Sequence, residues 1–190
     1  MKKTITFIIA ATAALVIIFS LYIGGNTPYA HQLQAFATGE MAKFALQTDA
    51  KNVPDIAVTN ARGEDVRLSD YRGKVLLINF WATWCAPCRH EMPALERLQQ
   101  QLGSKDFEVL IISMDRGGLK TSQKFLDDIG VTALKPLIDD ASRLGRAMGA
   151  FGLPTTIMVD RNGKEIGRLV GPAVWDAPEA LTLIQQSLLL

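Results

Sequence analysis

Asn79-Phe80-Trp81-Ala82-Thr83-Trp84-Cys85-Ala86-Pro87-Cys88 joins two patterns. Before it, Val75 to Trp81 is almost continuously apolar, as expected of a strand covered on both faces. After it, Ala86 to Gln101 carries apolar residues at helical spacing. The two cysteines of the chain therefore sit where a buried strand passes into a helix. Cys85 falls at the helix N-terminus, where unpaired N–H groups and the macrodipole favour negative charge. A thiolate there is stabilised relative to free cysteine, and a thiolate is the species that attacks a disulfide. Cys88, one turn on, is placed to resolve the mixed disulfide. Pro87 suits the first turn, where its missing N–H has no partner to lose.

A helical wheel divides the labour between the sulfurs. Counted from Cys88, the residues Met92, Leu95, Leu98 and Leu102 fall at about 40°, 340°, 280° and 320°. Cys88 shares that core stripe and is expected to be buried; Cys85 opens the helix and is expected to be exposed. Glu91 falls at about 300°, inside the stripe. A carboxylate on a core face is costly unless paired or protonated. One turn beyond Cys88, it is a candidate to take or return that thiol's proton; the plainer alternative is a partly exposed Glu displaced by a kink at Pro93. His90 falls on the polar side and reads as solvated. Trp84, directly before Cys85, is a candidate for the active surface, and Trp81 for the core.

Working outward, Pro54 to Val58 reads as a strand that Val66-Arg67-Leu68 completes as a hairpin across Asn60-Ala61-Arg62-Gly63. Phe107 to Met114 reads as a second buried strand. Residues 121–129 read as a helix capped by Thr121, Leu137-Ile138-Asp139 as a short strand, and Ser142 to Ala150 as a helix. Thr155 to Asp160 and Glu165 to Val170 pair across Asn162-Gly163, a strong hairpin signal. Asp176 with Glu179 has capping-box spacing for a last helix. Parallel strands separated by helices and closed by a hairpin predict a mixed α/β sheet covered on both faces. Gly152-Leu153-Pro154-Thr155 enters a strand after a helix, and Pro154 reads either as a strand-start residue or as a cis proline.

The N-terminus is different. Lys2-Lys3 precedes an apolar run from Ile5 to Ile23. At about 1.5 Å per residue this run crosses a hydrocarbon core about 30 Å thick. It is expected to be an uncleaved transmembrane helix over 1–25, with the lysines inside and the rest of the chain outside. A cleaved signal peptide is the rival, with Ala35-Phe36-Ala37 as a distant small-x-small site. Residues 26–52 are expected to be a linker of partial helicity, and 53–190 the globular domain. Net charge is +1 over 190 residues, with no basic field to attract nucleic acid. Two cysteines are too few for a stapled scaffold or a four-cysteine zinc site.

Trp84-Cys85-Ala86-Pro87-Cys88, Pro93 and Pro154-Thr155 together resemble the thioredoxin superfamily. The resemblance is closest to TlpA-type membrane-anchored thiol:disulfide interchange proteins, with ResA- and CcmG-like relatives nearby, and covers roughly residues 53 to 188. Asn79 to Leu95, Gly152 to Thr156 and Gly171-Pro172-Ala173-Val174-Trp175 carry it. It implies a thioredoxin-like fold with an N-terminal β-hairpin and a central βα insertion behind one transmembrane helix. It implies catalytic Cys85, Cys88 and Glu91, with cis Pro154, and no metal or cofactor beyond the redox-active Cys85–Cys88 disulfide. Trp84, Pro87, Leu153 and Pro154 are the candidate substrate-binding residues. Such proteins reduce exported clients: apocytochrome c, a copper chaperone or the copper subunit of cytochrome oxidase. Their electrons come from a DsbD/CcdA-type membrane thiol transporter. The implied location is the inner membrane, single-pass, with the catalytic domain in the periplasm. One departure stands out. Cytoplasmic thioredoxins carry a buried aspartate where this chain has Asn79, which cannot titrate, and that shifts weight to Glu91.

Two rivals are weaker. A peroxiredoxin needs PxxxTxxC, and here Thr83 lies two before Cys85 with no such proline. A copper-binding chaperone could use the CxxC thiolates, but a Sco-like site calls for CxxxC and a downstream histidine, whereas the histidines are His31 and His90.

Overall fold

A computed structural model describes residues 29–190. The expected anchor over 1–25 lies outside them. The chain enters with α1 (Tyr29–Leu33) and two 3-10 turns, Gln34–Phe36 and Gly39–Lys43. There follow β1 (Ala45–Leu46), β2 (Val58–Thr59), β3 (Asp65–Val66), β4 (Val75–Trp81), α2 (Ala86–Leu102) and β5 (Phe107–Ser113). The second half holds α3 (Gly118–Asp128), β6 (Pro136–Ile138), α4 (Arg143–Ala147), β7 (Thr155–Val159), β8 (Glu165–Val170) and α5 (Pro178–Ser187). One sheet runs β1-β8-β7-β4-β5-β6-β2-β3. β4, β5 and β6 are parallel neighbours; every other pairing is antiparallel. This is a thioredoxin-like α/β fold, with the hairpin β2–β3 at one edge and the crossover β5-α3-β6-α4-β7 as the central insertion.

All seven residues of β4 are buried, as its uninterrupted apolar run requires. Period-two alternation sends Val75, Leu77 and Trp81 into the core shared with α2 and α5. It sends Leu76, Ile78 and Phe80 into the opposite core, where Leu144 and Met148 pack. Full burial of each such side chain contributes about 1.5–3 kcal/mol. Asn79 belongs to the first set, so the strand carries one amide straight at α2.

Several local expectations change. Residues 29–52 are not a stalk beside the domain: Leu33, Met41 and Phe44 are buried in the main core, and β1 adds a strand to β8. The Phe44 ring lies over Gly167, where an added Cβ would collide with it. Tyr29 donates to Asp160 Oδ2 at 2.7 Å, and that bond pushes its hydroxyl up to about 12. The first hairpin is shorter than expected. Pro54 to Ala57 lie outside the strands, and Leu68 begins a 3-10 turn, because the Asp55 carboxylate binds the Ser69 N–H and hydroxyl. Helix α3 starts at Gly118, leaving Thr121 inside it. The Asp176–Glu179 capping box does not form: Asp176 instead accepts from Arg97 at 2.6 Å, and α5 begins with Pro178 in its first turn. The Asn162-Gly163 hairpin is as expected, with Gly163 at φ 73° and Asp160 Oδ1 receiving the N–H groups of Asn162 and Lys164.

Candidate active site

The strand-to-helix junction is pinned from below. Thr83 donates through both its N–H (2.8 Å) and its hydroxyl (2.9 Å) to the buried Asp115 carboxylate. Ser113 donates to the same carboxylate, and Ser122 to Ser113. The Cys85 N–H turns back to Ala82 O, and Cys85 takes the N-cap position of α2 in extended backbone geometry. Its Sγ accepts the Cys88 N–H at 3.3 Å. The helix thus aims an otherwise unpaired backbone donor at the sulfur that would carry charge in the reduced protein. Cys85 and Cys88 form a disulfide with Cα atoms 5.3 Å apart. Cys88 is fully buried, as the wheel requires. Cys85 is less open than expected, at 6% exposure, because its sulfur turns inward to Cys88.

Glu91 is buried, and α2 runs through Pro93 without ending, so the displaced, half-exposed alternative fails. Its Oε1 accepts from Asn79 Nδ2 at 2.8 Å. Its Oε2 accepts from the Ala173 N–H at 3.1 Å and from Trp175 Nε1 at 3.2 Å. Burial pushes the carboxyl up to about 7, against the pull of these three donors and of the Lys43 charge. A group poised there can both take and give a proton near neutral pH.

The Leu153–Pro154 bond is cis. Thr155 pairs with Phe80 across β7 and β4, so Pro154 comes to the same sheet end as residues 82–88. The Gly171 N–H donates to Pro154 O. Of the candidate substrate-binding residues, Trp84 is 69% exposed, Pro87 is exposed, Leu153 is half-buried and Pro154 is buried. A groove of about 640 Å³ runs beside them, lined by Trp84, Met114, Arg116, Phe151 and Leu153 among others. Phe151 and Val174, on loops, and Val170, at the end of β8, are large exposed apolar groups that the sequence does not single out. Nor did it assign a role to Ala173, Trp175 or Asp115. Trp175 was visible only as part of a motif, and Asp115 carried no signal beyond an acid following a buried strand.

Comparison with known proteins agrees with this geometry. The Redoxin family model matches residues 48–184. A thiol-disulfide oxidoreductase ResA from Geobacillus thermodenitrificans is 32% identical over 167 residues, covering 86% of this chain and 87% of its own. The thioredoxin-like protein YneN of Bacillus subtilis is 33% identical over 119 residues, 60% of this chain and 67% of its own. Among solved structures, a Chlorobium tepidum protein assigned as a thiol:disulfide interchange protein, DsbE, is 30% identical with a TM-score of 0.63. That match covers 76% of this chain and 97% of the other. With fold, paired cysteines and relatives in agreement, the chain belongs to the redoxin family, as a ResA-like thiol–disulfide oxidoreductase of the thioredoxin superfamily.

Proposed function

We propose that this protein reduces disulfides in other exported proteins, with Cys85 as the attacking sulfur and Cys88 as the resolving one. The observation that carries the reading is the N-cap placement of Cys85, its sulfur facing the Cys88 N–H. In the reduced protein the Cys85 thiolate attacks a client disulfide. The client S–S bond breaks, a mixed disulfide forms, and the departing client thiolate takes a proton. Cys88 then gives its proton to Glu91 and attacks the Cys85 sulfur. The mixed disulfide breaks, and the second client thiolate leaves and is protonated. The client gains two electrons and two protons, and the protein is left as the Cys85–Cys88 disulfide. No cofactor beyond that pair takes part. Trp84, Pro87, Leu153 and Pro154 form the surface on which the client cysteine lies, and the groove beside Trp84 receives its flanking chain.

The finer assignments belong to the same proposal. Residues 1–25 anchor the chain in the inner membrane and hold the domain in the periplasm. Among the described residues no helix is long and apolar enough to cross a membrane. The clients are those of cytochrome maturation: apocytochrome c, a copper chaperone or the oxidase copper subunit. A DsbD/CcdA-type transporter restores the dithiol. The resemblance to ResA- and CcmG-like proteins supports these choices. The test is capture in membranes. Cys88→Ser should hold exported cysteine proteins as mixed disulfides through Cys85, and Cys85→Ser should hold none. Adducts formed through Cys88 alone reverse the assignment. Stable Cu(I) binding by the reduced pair, with no exchange activity, would favour the copper-chaperone alternative.

A further inference from the structure

The Glu91 carboxylate is surrounded by donors alone: Asn79 Nδ2, the Ala173 N–H and Trp175 Nε1. Asn79 Nδ2 also reaches Thr156 Oγ1, at 2.9 Å. Both amide hydrogens of Asn79 are therefore spent. Two groups beside them are not. Among the described residues, Asn79 Oδ1 is buried with no hydrogen-bond partner, and the Thr156 hydroxyl receives a hydrogen from Asn79 and gives none. Asn79, Glu91 and Thr156 are all buried, where an unspent polar group is costly.

This arrangement suits an ionised Glu91. A protonated Glu91 does not fit it, because the acid hydrogen meets only other donors. Turning the Asn79 amide by half a rotation exchanges Oδ1 and Nδ2 without changing shape. Oδ1 then accepts both the Glu91 acid hydrogen and the Thr156 hydroxyl hydrogen, so the amide keeps two bonds. Its Nδ2 takes over the unpaired place. An unpaired NH2 is worse than an unpaired carbonyl oxygen, so the turn is favourable only while Glu91 holds its proton.

We propose that Asn79 is a two-position hydrogen-bond switch whose amide turns with the proton of Glu91, which makes it a positioning residue for the proton step of disulfide exchange. The switch joins three walls of the site: β4, α2 one turn past Cys88, and β7 two residues past Pro154. It rests on the reading of Glu91 as the group that exchanges a proton with Cys88. The groups that face Glu91 are Asn79 from β4, Ala173 and Trp175 from the loop before α5, and the Lys43 charge from the 39–43 turn. Cys88 precedes it on its own helix. Burial holds the carboxyl near 7, so both forms are populated close to neutral pH.

The test is nuclear magnetic resonance on the full-length chain in detergent micelles, with 15N-labelled asparagine and 13C-labelled glutamate. As pH falls, the Asn79 Nδ2 hydrogens should lose their partners and shift upfield, with the same midpoint as the Glu91 carboxyl carbon. In Glu91→Gln, whose amide hydrogens also need an acceptor, they should stay at the low-pH position throughout. Asn79 signals that do not move while Glu91 titrates overturn the proposal. Signals that follow pH equally in Glu91→Gln also overturn it. Asn79→Leu serves neither form of Glu91, so it should slow exchange without moving the midpoint of the pH profile. A midpoint raised by about one unit, a tenfold change in the acid equilibrium, marks Asn79 as a donor to the carboxylate only and rejects the switch. Wild-type protein that fails to exchange with insulin disulfides counts against the proposed function instead, and leaves the Asn79 signals to report on the switch.

Discussion

Raising the pH from 5 to 8 should destabilise the folded protein through one carboxyl group. Glu91 has an ordinary value of 4.5 in the unfolded chain and about 7 in the fold, where burial opposes its charge. Below 4.5 both states hold the proton. Between the two values the folded state holds a proton that the unfolded state has released, so stability falls as pH rises. Each unit of displacement corresponds to about 1.4 kcal/mol, which puts the full loss at about 3 kcal/mol by pH 8. That is a large share of the 5–15 kcal/mol typical of a domain. Among the described residues the other displaced groups lie outside this window. Asp55, Glu64, Glu96 and Asp106 are held below their usual range, and Tyr29 and Tyr71 above theirs. Glu91→Gln keeps the shape and removes the titration. Urea unfolding of the oxidised protein at pH 5 and pH 8 should show the slope in wild type and lose it in the variant, at equal m-values. A slope that survives in Glu91→Gln, or a wild type that is flat, refutes the reasoning.

The other expectations follow from the same coordinates. Trp175→Phe removes one N–H donor from the Glu91 carboxylate. A hydrogen bond to a charged group contributes about 1.5–3 kcal/mol, so the Glu91 midpoint should rise by about one to two units in a 13C titration. Phe44→Ala should cost about 3–5 kcal/mol in urea unfolding, because the ring is buried against β8; a mere tether would lose almost nothing. Trp84→Ala should change stability by less than about 0.5 kcal/mol, since the side chain is mostly in solvent. It should slow exchange with protein disulfides more than with a small disulfide, as stopped-flow fluorescence can measure.

Much of the fold is legible because its signals are local and strong. The apolar runs of β4 and β5 mark strands covered on both faces, and Asn162-Gly163 marks the turn between β7 and β8. What fails is whatever depends on a distant partner. In the segment 29–52 the spacing of Leu33, Met41 and Phe44 fits one helical face, but Gly39 and the turns around it break the helix, and nothing local says what covers those side chains. They are buried because β8 and α5 offer a surface for them. The capping box fails for the same reason: Asp176 is claimed by Arg97, which no local rule could anticipate. Asp55 likewise shortens the first hairpin by binding Ser69, fourteen positions away in sequence.

The site divides along the same line. Helical spacing alone put Cys88 and Glu91 on the core face of α2, and both are there. It could not supply the groups that make a buried carboxylate tolerable, because they come from β4 and from the loop before α5, a separation of 82 and 84 positions for Ala173 and Trp175. Register supplies the missing link. Asn79 alternates with Leu77 and Trp81 onto the α2 side of the sheet, and so an amide stands where its neighbours are apolar. An aspartate at that position would put a second carboxylate within hydrogen-bond reach of Glu91, and two such charges cannot both form in a buried site. With an amide there, one titrating carboxylate remains, and it rides on the same helix as Cys88, the cysteine whose proton the proposed function assigns to it.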